Sequence, residues 1–368
     1  MKKTIKLIGV FFILFILSFS LIAGESLEDK LQSMAAENAK MYITPLVTAF
    51  GTALNSGWYH SAKPHKLLGF DLGIKLMGVS IVDEETIFKF AVPDFEQDIM
   101  IGGNNYSLLI EGAEIYPERD VPTFFGDKNP DPIQKTDNAS IVDMIESQLI
   151  NQGMSQTILD QPAVQNQLND LADGIPNLPS PPGIGVQLFG LAIPQAAIGL
   201  SIPMTPIKAE VVARGLPEYD LPNFGKFKFG GIGGKFKVDQ FIPVPMFPLD
   251  LAVGAYFQKM SIGDIFESNH STFNFQIGKD INLLVLGLGL YGGAGIESSD
   301  VKIDYTYMNA DNPSDPLNGV PIKFDLEGDN KFRITAGAHI RLAILNISAD
   351  YSKGADDVFT IGAGITLR

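Results

Sequence analysis

The sequence predicts an all-β chain, a transmembrane antiparallel β-barrel of about 12–14 strands with an N-terminal helix, a plug-like segment and a helical insertion. Three observations predict it. The chain starts with a segment built for export, its second half alternates apolar and polar residues over long stretches, and it finishes inside such a stretch. Lys2, Lys3 and Lys6 precede an apolar run over 7–22, broken only by Gly9, Ser18 and Ser20, and small residues follow at Ala23 and Gly24. That order reads as a secretory signal peptide over residues 1–24, cleaved on export. A retained membrane anchor is the competing reading, because about 17 apolar residues can just span a bilayer.

The next longest uncharged apolar run, 283–294, is 12 residues and too short to cross as a helix. Membrane crossing downstream of the leader therefore requires strands. The chain has no cysteine, which excludes disulfides, thiolate nucleophiles and thiolate metal sites. Its net charge of −15, or −18 once the three leader lysines are gone, argues against nucleic acid as a partner.

Residues 25–66 read as an N-terminal helix and plug-like segment. Ser26 and Asp29 form a capping pair for a helix over 26–40 whose Leu27, Leu31 and Met34 share one face. The stretch 41–65, with the single tryptophan Trp58, follows neither period, and its structure stays open. The barrel is expected over 67–368. Leu68, Phe70, Leu72, Ile74 and Leu76 alternate with smaller or polar residues, and a bulge after Gly78 would shift the phase to Val79 and Ile81. Residues 86–92 read as the return strand.

Residues 93–180 form a long, partly helical insertion. Ser140 with Asp143 caps one helical pattern, and Pro162 opens another that Gly174 stops. From residue 183 strand follows strand; Phe332, Ile334, Ala336, Ala338, Ile340 and Leu342 alternate with Arg333, Thr335, Gly337, His339 and Arg341. Several such runs reach 10–13 residues, near the ~9–11 that cross a bilayer at a tilt and longer than the ~5–6 usual in soluble sheets. A final strand without a tail can close against the first and so remove unpaired edges. Tyr256, Phe257, Tyr305, Tyr307, Tyr351 and Phe359 fall near strand ends, where aromatic girdles lie.

The segments LSIPMTPIKAEVVARGLP (200–217), GGIGGKFKVDQFIPVPMFP (230–248) and MYITPLVTAFGTALNS (41–56), with the C-terminal hairpin, give the chain a resemblance. It resembles uncharacterised outer-membrane barrels related to the long-chain fatty-acid transporter type. The resemblance implies an N-terminal plug inside a 14-stranded barrel and apolar cargo. Leu367–Arg368 departs from the terminal aromatic common in barrel-assembly signals, and no substrate pocket matches residue by residue.

Four features of the sequence could carry chemistry. Gly287, Gly289 and Gly292 satisfy G-x-G-x-x-G but sit in a strand pattern without the helix that a phosphate site needs, so barrel curvature explains them better. His60 and His65 lie five apart and read as solvated loop histidines. His339, on the polar face of a strand, is where a barrel lipase could place a general base, but no partnered serine stands out. Asp127 with Asp131, and Asp311 with Asp315, lack a full Ca²⁺ ligand set.

The most usable constellation is basic. Lys226, Lys228, Lys235, Lys237, Arg333 and Arg341 would make a positive lumen for an anionic head group if they point inward. The alternative is that they pair with luminal carboxylates such as Asp71 and Asp250, or snorkel at the interface. The expected function is an outer-membrane channel or transporter for small hydrophobic or amphipathic solutes, without enzymatic activity, cofactor or metal. A non-transporting structural or surface-interaction barrel is the alternative, and a barrel lipid hydrolase the third. Expected partners are outer-membrane lipid, a hydrophobic small molecule and the barrel-assembly machinery during biogenesis, with no nucleic acid.

Overall fold

The computed structural model describes residues 36–367 apart from 93, 206, 222–224, 243–247, 284 and 307–320. The leader over 1–24, the first part of the helix expected over 26–40, and Tyr307, Asp311 and Asp315 lie outside the described residues. In chain order the elements are α1 (Ala36–Leu54), β1 (Phe70–Ser80), β2 (Ile87–Phe90), β3 (Phe95–Ile101), β4 (Asn104–Ile110), α2 (Gly112–Ile115), β5 (Arg119–Pro122), α3 (Asn138–Asn151), α4 (Gln156–Leu159) and α5 (Pro162–Gly174). The remaining strands are β6 (Leu188–Gly199), β7 (Ala209–Leu221), β8 (Gly225–Lys237), β9 (Asp250–Ile262), β10 (Phe266–Leu283), β11 (Leu286–Thr306), β12 (Pro321–Glu327), β13 (Phe332–Leu342), β14 (Leu345–Lys353) and β15 (Asp357–Leu367). Among the described residues, no helix is long and apolar enough to cross a membrane. The chain divides into two units, one holding 43–82 and 186–367, the other 36–42 and 83–185.

The first unit is a closed antiparallel barrel in the order β1-β6-β7-β8-β9-β10-β11-β13-β14-β15. β15 returns to β1 along its whole length, Phe70 opposite Leu367 and Ser80 opposite Asp357. Ten strands close the ring, where 12–14 were expected. The excess has two sources. The expected return strand is β2, which pairs with β5 in the other unit, so β1 connects to its barrel neighbour β6 only after the insertion. The sequence of the long strands β10 and β11, 18 and 21 residues, also divides into more crossings when strands of ordinary length are assumed. β12 and β13 lie on one edge of β11, against Asp300–Thr306 and Leu286–Ile296, and occupy one wall position. No bulge follows Gly78, because β1 keeps an unbroken register to Ser80. Met77 and Val79 face inward there because the lumen turns apolar at that end. The shift in register falls instead between Leu216 and Tyr219 of β7.

Side-chain polarity around this ring is inverted relative to a water-soluble barrel. Leu72, Phe257, Phe275, Leu290, Ile334, Ile347 and Ile361 point outward and are exposed, while the alternate positions Asp71, Gln258, Gln276, Arg333, Ser348 and Thr360 are buried. Burying the polar face and exposing the apolar one is costly in water, where exposed apolar patches rarely exceed a few hundred Å². The pattern reverses at the end where β1 finishes and β10 begins. Lys226, Lys228, Lys259 and Lys302 face outward there, and Phe227, Phe229, Met260 and Val301 are buried inside. Phe257, Phe273, Phe332, Tyr351 and Phe359 mark the border on the outer face. Phe257 packs edge-on against Phe273 at 5.4 Å and Tyr351 lies 5.2 Å from Phe359. Tyr256, expected beside them, points inward and is fully buried.

The second unit holds the short sheet β2–β5, the hairpin β3–β4, the first turns of α1 and the helices α2–α5. Gly102 and Gly103 close the hairpin with φ of 60° and 85°, a conformation costly for a side-chain-bearing residue. Ile141, Ile145 and Leu149 of α3 and Val164 and Leu168 of α5 are buried. Gln148 ties α3 to β4 by accepting from Leu109 N–H (2.9 Å) and donating to Leu109 O (2.5 Å). Pro162 opens α5 as expected, since its missing N–H is not needed there. The cap of α3 is Asp137, not Ser140. Its carboxylate accepts from Ser140 N–H (3.0 Å) and Oγ–H (2.8 Å). Residues 83–185 hold eighteen acidic and four basic side chains, a net charge of −14 against −15 for the whole chain.

The bonds from Ser140 lower the pKa of Asp137 below the usual aspartate value. A carboxylate depressed on folding stabilises the fold above its unfolded pKa and loses that contribution as pH falls through the lowered value. Asparagine caps almost as well, so D137N isolates the charge. Wild-type α3 is expected to resist opening better than D137N at neutral pH, with the gap closing below about pH 4. Hydrogen exchange at the α3 amides measures it; a gap that persists in acid contradicts this account of the cap.

Candidate functional site: the filled lumen

The barrel interior is occupied by the chain's own residues 43–66. The segment starts as the second half of α1 and leaves it at Leu54. It then runs past β6, β9 and β11 and ends where Gly199 accepts from Leu68 N–H, beside the first residues of β1. A helix leaves its last carbonyls without partners and carries partial negative charge at that end. Two buried arginines of the wall meet both needs. Arg214 donates to Leu54 O (2.9 Å) and Ser56 O (2.7 Å), with its Nε on Gln195 Oε1 (2.7 Å). Arg333 donates to Thr52 O (2.8 Å) and to Ser56 Oγ, and grips Glu297 through Nε and Nη2, both at 2.8 Å. Gln258 adds a bond to Leu54 O (2.7 Å).

Below the helix the segment is held by aromatic rings. Trp58 stacks on Tyr256 at 4.8 Å and 22°, and the Arg214 guanidinium covers the Trp58 ring at 3.9 Å. Tyr59 meets Tyr291 edge-on at 5.8 Å, and with Ala197 and Val212 these rings form a buried apolar belt. Glycines on the inward face make the room. A Cβ at Gly233 would lie 2.4 Å from a Tyr256 ring carbon, one at Gly293 2.2 Å from Tyr59 Oη, and one at Gly337 2.6 Å from the Tyr291 ring. Gly289, from the G-x-G-x-x-G string, leaves space for His339 in the same way, so these glycines serve packing against wall and plug.

The last stretch is fixed by ions. Glu210 accepts from His65 N–H (3.0 Å), His65 Nδ1–H (2.5 Å) and Lys235 Nζ (3.0 Å). The other ring nitrogen, Nε2, bonds Thr366 Oγ1 at 2.9 Å. Lys235 also donates to Ser61 O (2.7 Å) and Ser201 Oγ–H to His65 O (2.7 Å). His339 Nδ1–H donates to His60 O (2.8 Å), and Ser61 Oγ–H reaches Asp280 (3.2 Å). A cavity of about 20 Å³ between the segment and Arg333, Thr335 and Asp350 has room for about one water molecule.

The six basic residues singled out in the sequence do not gather into one cluster. Lys226 and Lys228 face outward, and Lys226 pairs with Glu218 at 2.6 Å. Lys235 and Arg333 are buried inside, each on a carboxylate. Lys237 bonds Asp250 at 2.5 Å, and Arg341 is half-buried. His60 and His65, read as solvated, are 5 % and 1 % exposed, because the stretch that carries them lies inside the barrel. Sequence reasoning missed Arg214, Glu210, Asp280 and Glu297. Their signal was a charged residue at an inward position of an alternating strand. Among the described residues, no group of three or more histidines and carboxylates could hold a metal ion.

Fold and lumen together define the class, a closed ten-stranded antiparallel β-barrel filled by its own N-terminal segment. The chain belongs to the family of unknown function DUF6588, whose model matches residues 1–367. No curated protein matches it. Among solved structures it is similar to the β domain of the Bordetella autotransporter BrkA, at 12 % identity over 48 % of this chain and 89 % of that one, with a TM-score of 0.20. These comparisons do not show the fatty-acid transporter resemblance, and ten strands differ from the fourteen that it implies.

Proposed function

We propose that the chain is an outer-membrane β-barrel closed by its own plug, an anchor whose acidic unit over 83–185 binds a partner. The observation that carries this reading is the inverted polarity of the ring, apolar outside and charged inside, bounded by outward aromatics. A lipid solvent makes that arrangement favourable and demands a closed sheet. The filled lumen supports anchoring over passage, since its wall charges are spent on plug carbonyls and on one another.

A second reading keeps transport of small hydrophobic or amphipathic solutes. It rests on the hydrogen bonds and ion pairs that hold residues 60–66, which water can replace if the segment withdraws. In either case export by the leader and folding by the barrel-assembly machinery precede insertion.

Refolded full chain is expected to float with phosphatidylcholine vesicles and to give no conductance steps in a planar bilayer. Steps from the unmodified chain would move the conclusion to transport. Failure of the folded chain to float would overturn the membrane reading.

A further inference from the structure

The outer wall of the barrel is not uniform. On β7 to β13 two neighbouring rows of outward residues run across the strands. One passes through Ala209, Phe236, Val253, Phe275 and Ala294, and the other through Gly234, Ala255, Phe273, Ile296 and Phe332. On β8 and β9 the second row carries the smaller residue and on β11 the first row does, whereas β10 carries phenylalanine in both. Ala209, Gly234, Ala255 and Ala294 therefore form a floor at backbone level, and the phenyl rings of Phe236, Phe275, Phe273 and Phe332 stand beside it. The result is an outward-opening groove of about 730 Å³.

Its course is set by the register. Ala209 is the first residue of β7 and Phe332 the first of β13; these two strands run in opposite directions with four strands between them, so the groove leaves one end of the ring at β7 and reaches the other at β13. With interstrand spacing near 4.8 Å, the groove is roughly 20 Å long, and strand tilt makes it climb obliquely across the apolar band.

We infer that this groove is a binding site for one acyl chain of a bilayer lipid. The inference rests on the membrane reading above. The groove is continuous with the lipid-facing band, so its occupant is drawn from lipid. Its walls and floor are apolar apart from the Asn274, Glu210 and Lys235 positions, whose side chains turn into the barrel. A trough one side chain deep and this long admits a flexible unbranched hydrocarbon and is too narrow for a folded partner. Rigid phenyl walls lose little conformational freedom when the chain seats, which distinguishes this face from the aliphatic face of β13–β15, where Ile334, Ile340, Ile347 and Ile361 are exposed.

The test uses full chain refolded into phosphatidylcholine vesicles that hold a trace of phosphatidylcholine nitroxide-labelled near an acyl terminus. Paramagnetic resonance is expected to show a strongly immobilised component beyond that of ordinary boundary lipid. A255F and A294F fill the floor and are expected to weaken it roughly tenfold, while A363F, outward on β15 across the ring, leaves it unchanged. Flotation of every variant with the vesicles verifies insertion separately. Floating wild type without the component, or with a component that A255F and A294F leave intact, overturns the groove and leaves the membrane reading standing; wild type that does not float overturns the membrane reading itself. Labelled free stearic acid that occupies the site in place of the phospholipid overturns the assignment to a bilayer lipid.

Discussion

Replacing Arg333 with alanine is expected to lower the barrel's unfolding free energy by about 3–5 kcal/mol, the usual cost of breaking a buried ion pair by removing one partner. Arg333 is 7 % exposed and serves both the wall, through Glu297, and the plug, through Thr52 O and Ser56 Oγ. Truncation strands the Glu297 carboxylate in a packed interior, with Asn330 as its remaining partner, and leaves the Thr52 carbonyl with Ser56 Oγ–H alone as a side-chain donor. R333K would keep the charge but cannot grip Glu297 and Thr52 together, so it should recover only part of the loss. R333M with E297Q removes both charges and should recover more than R333A alone. Denaturant titration in detergent micelles measures all four proteins. Equal stability of R333A and wild type would mean that the plug is not held by this contact.

W58A is expected to cost about 3–5 kcal/mol, in the range of large aromatic truncations in packed cores. Trp58 is 2 % exposed between the Tyr256 ring and the Arg214 guanidinium. The loss would be concentrated at the belt that seals the lumen, so W58A should also raise hydrogen exchange at the plug amides more than at the wall. W58F, which keeps a ring against Tyr256, should fall between the two. Because Trp58 is the only tryptophan, wild-type emission reports the same site directly and should be shielded from acrylamide until the barrel unfolds. Ready quenching in the folded state would place the ring in water and contradict the packed lumen.

The wall was readable from sequence because outward apolar and inward polar positions alternate with the pleat of a strand, which leaves a period of two in β13, β14 and β15. Closure of the last strand on the first followed from the same pattern. The plug left no such trace. Residues 54–66 meet a different wall strand at almost every step, from Arg214 through Tyr256 and Asp280 to Glu210, and those partners are set by the closed ring rather than by local order. The basic residues of β8 show where the available signal was not used. Lys226 and Lys228 differ from Lys235 and Lys237 by odd numbers of positions, so a regular strand cannot put all four on one face. The strand count failed for a related reason: a short alternating run such as β2 has the same period whether it pairs in the wall or with β5.

Single-cysteine scanning of β13 tests the central claim most directly, since the natural chain has no cysteine to confuse it. Cysteines placed one at a time at 332–342, in full chain reconstituted into vesicles, are reacted with a water-soluble maleimide and, in parallel, labelled with a fluorophore that brominated lipid quenches. A lipid-embedded, plugged barrel predicts quenching at the outward positions 334, 336, 338 and 340 and little maleimide reaction at either set. Rapid maleimide labelling at the outward positions would put that face in water; rapid labelling at the inward positions 333, 335, 337 and 339 would mean an open lumen.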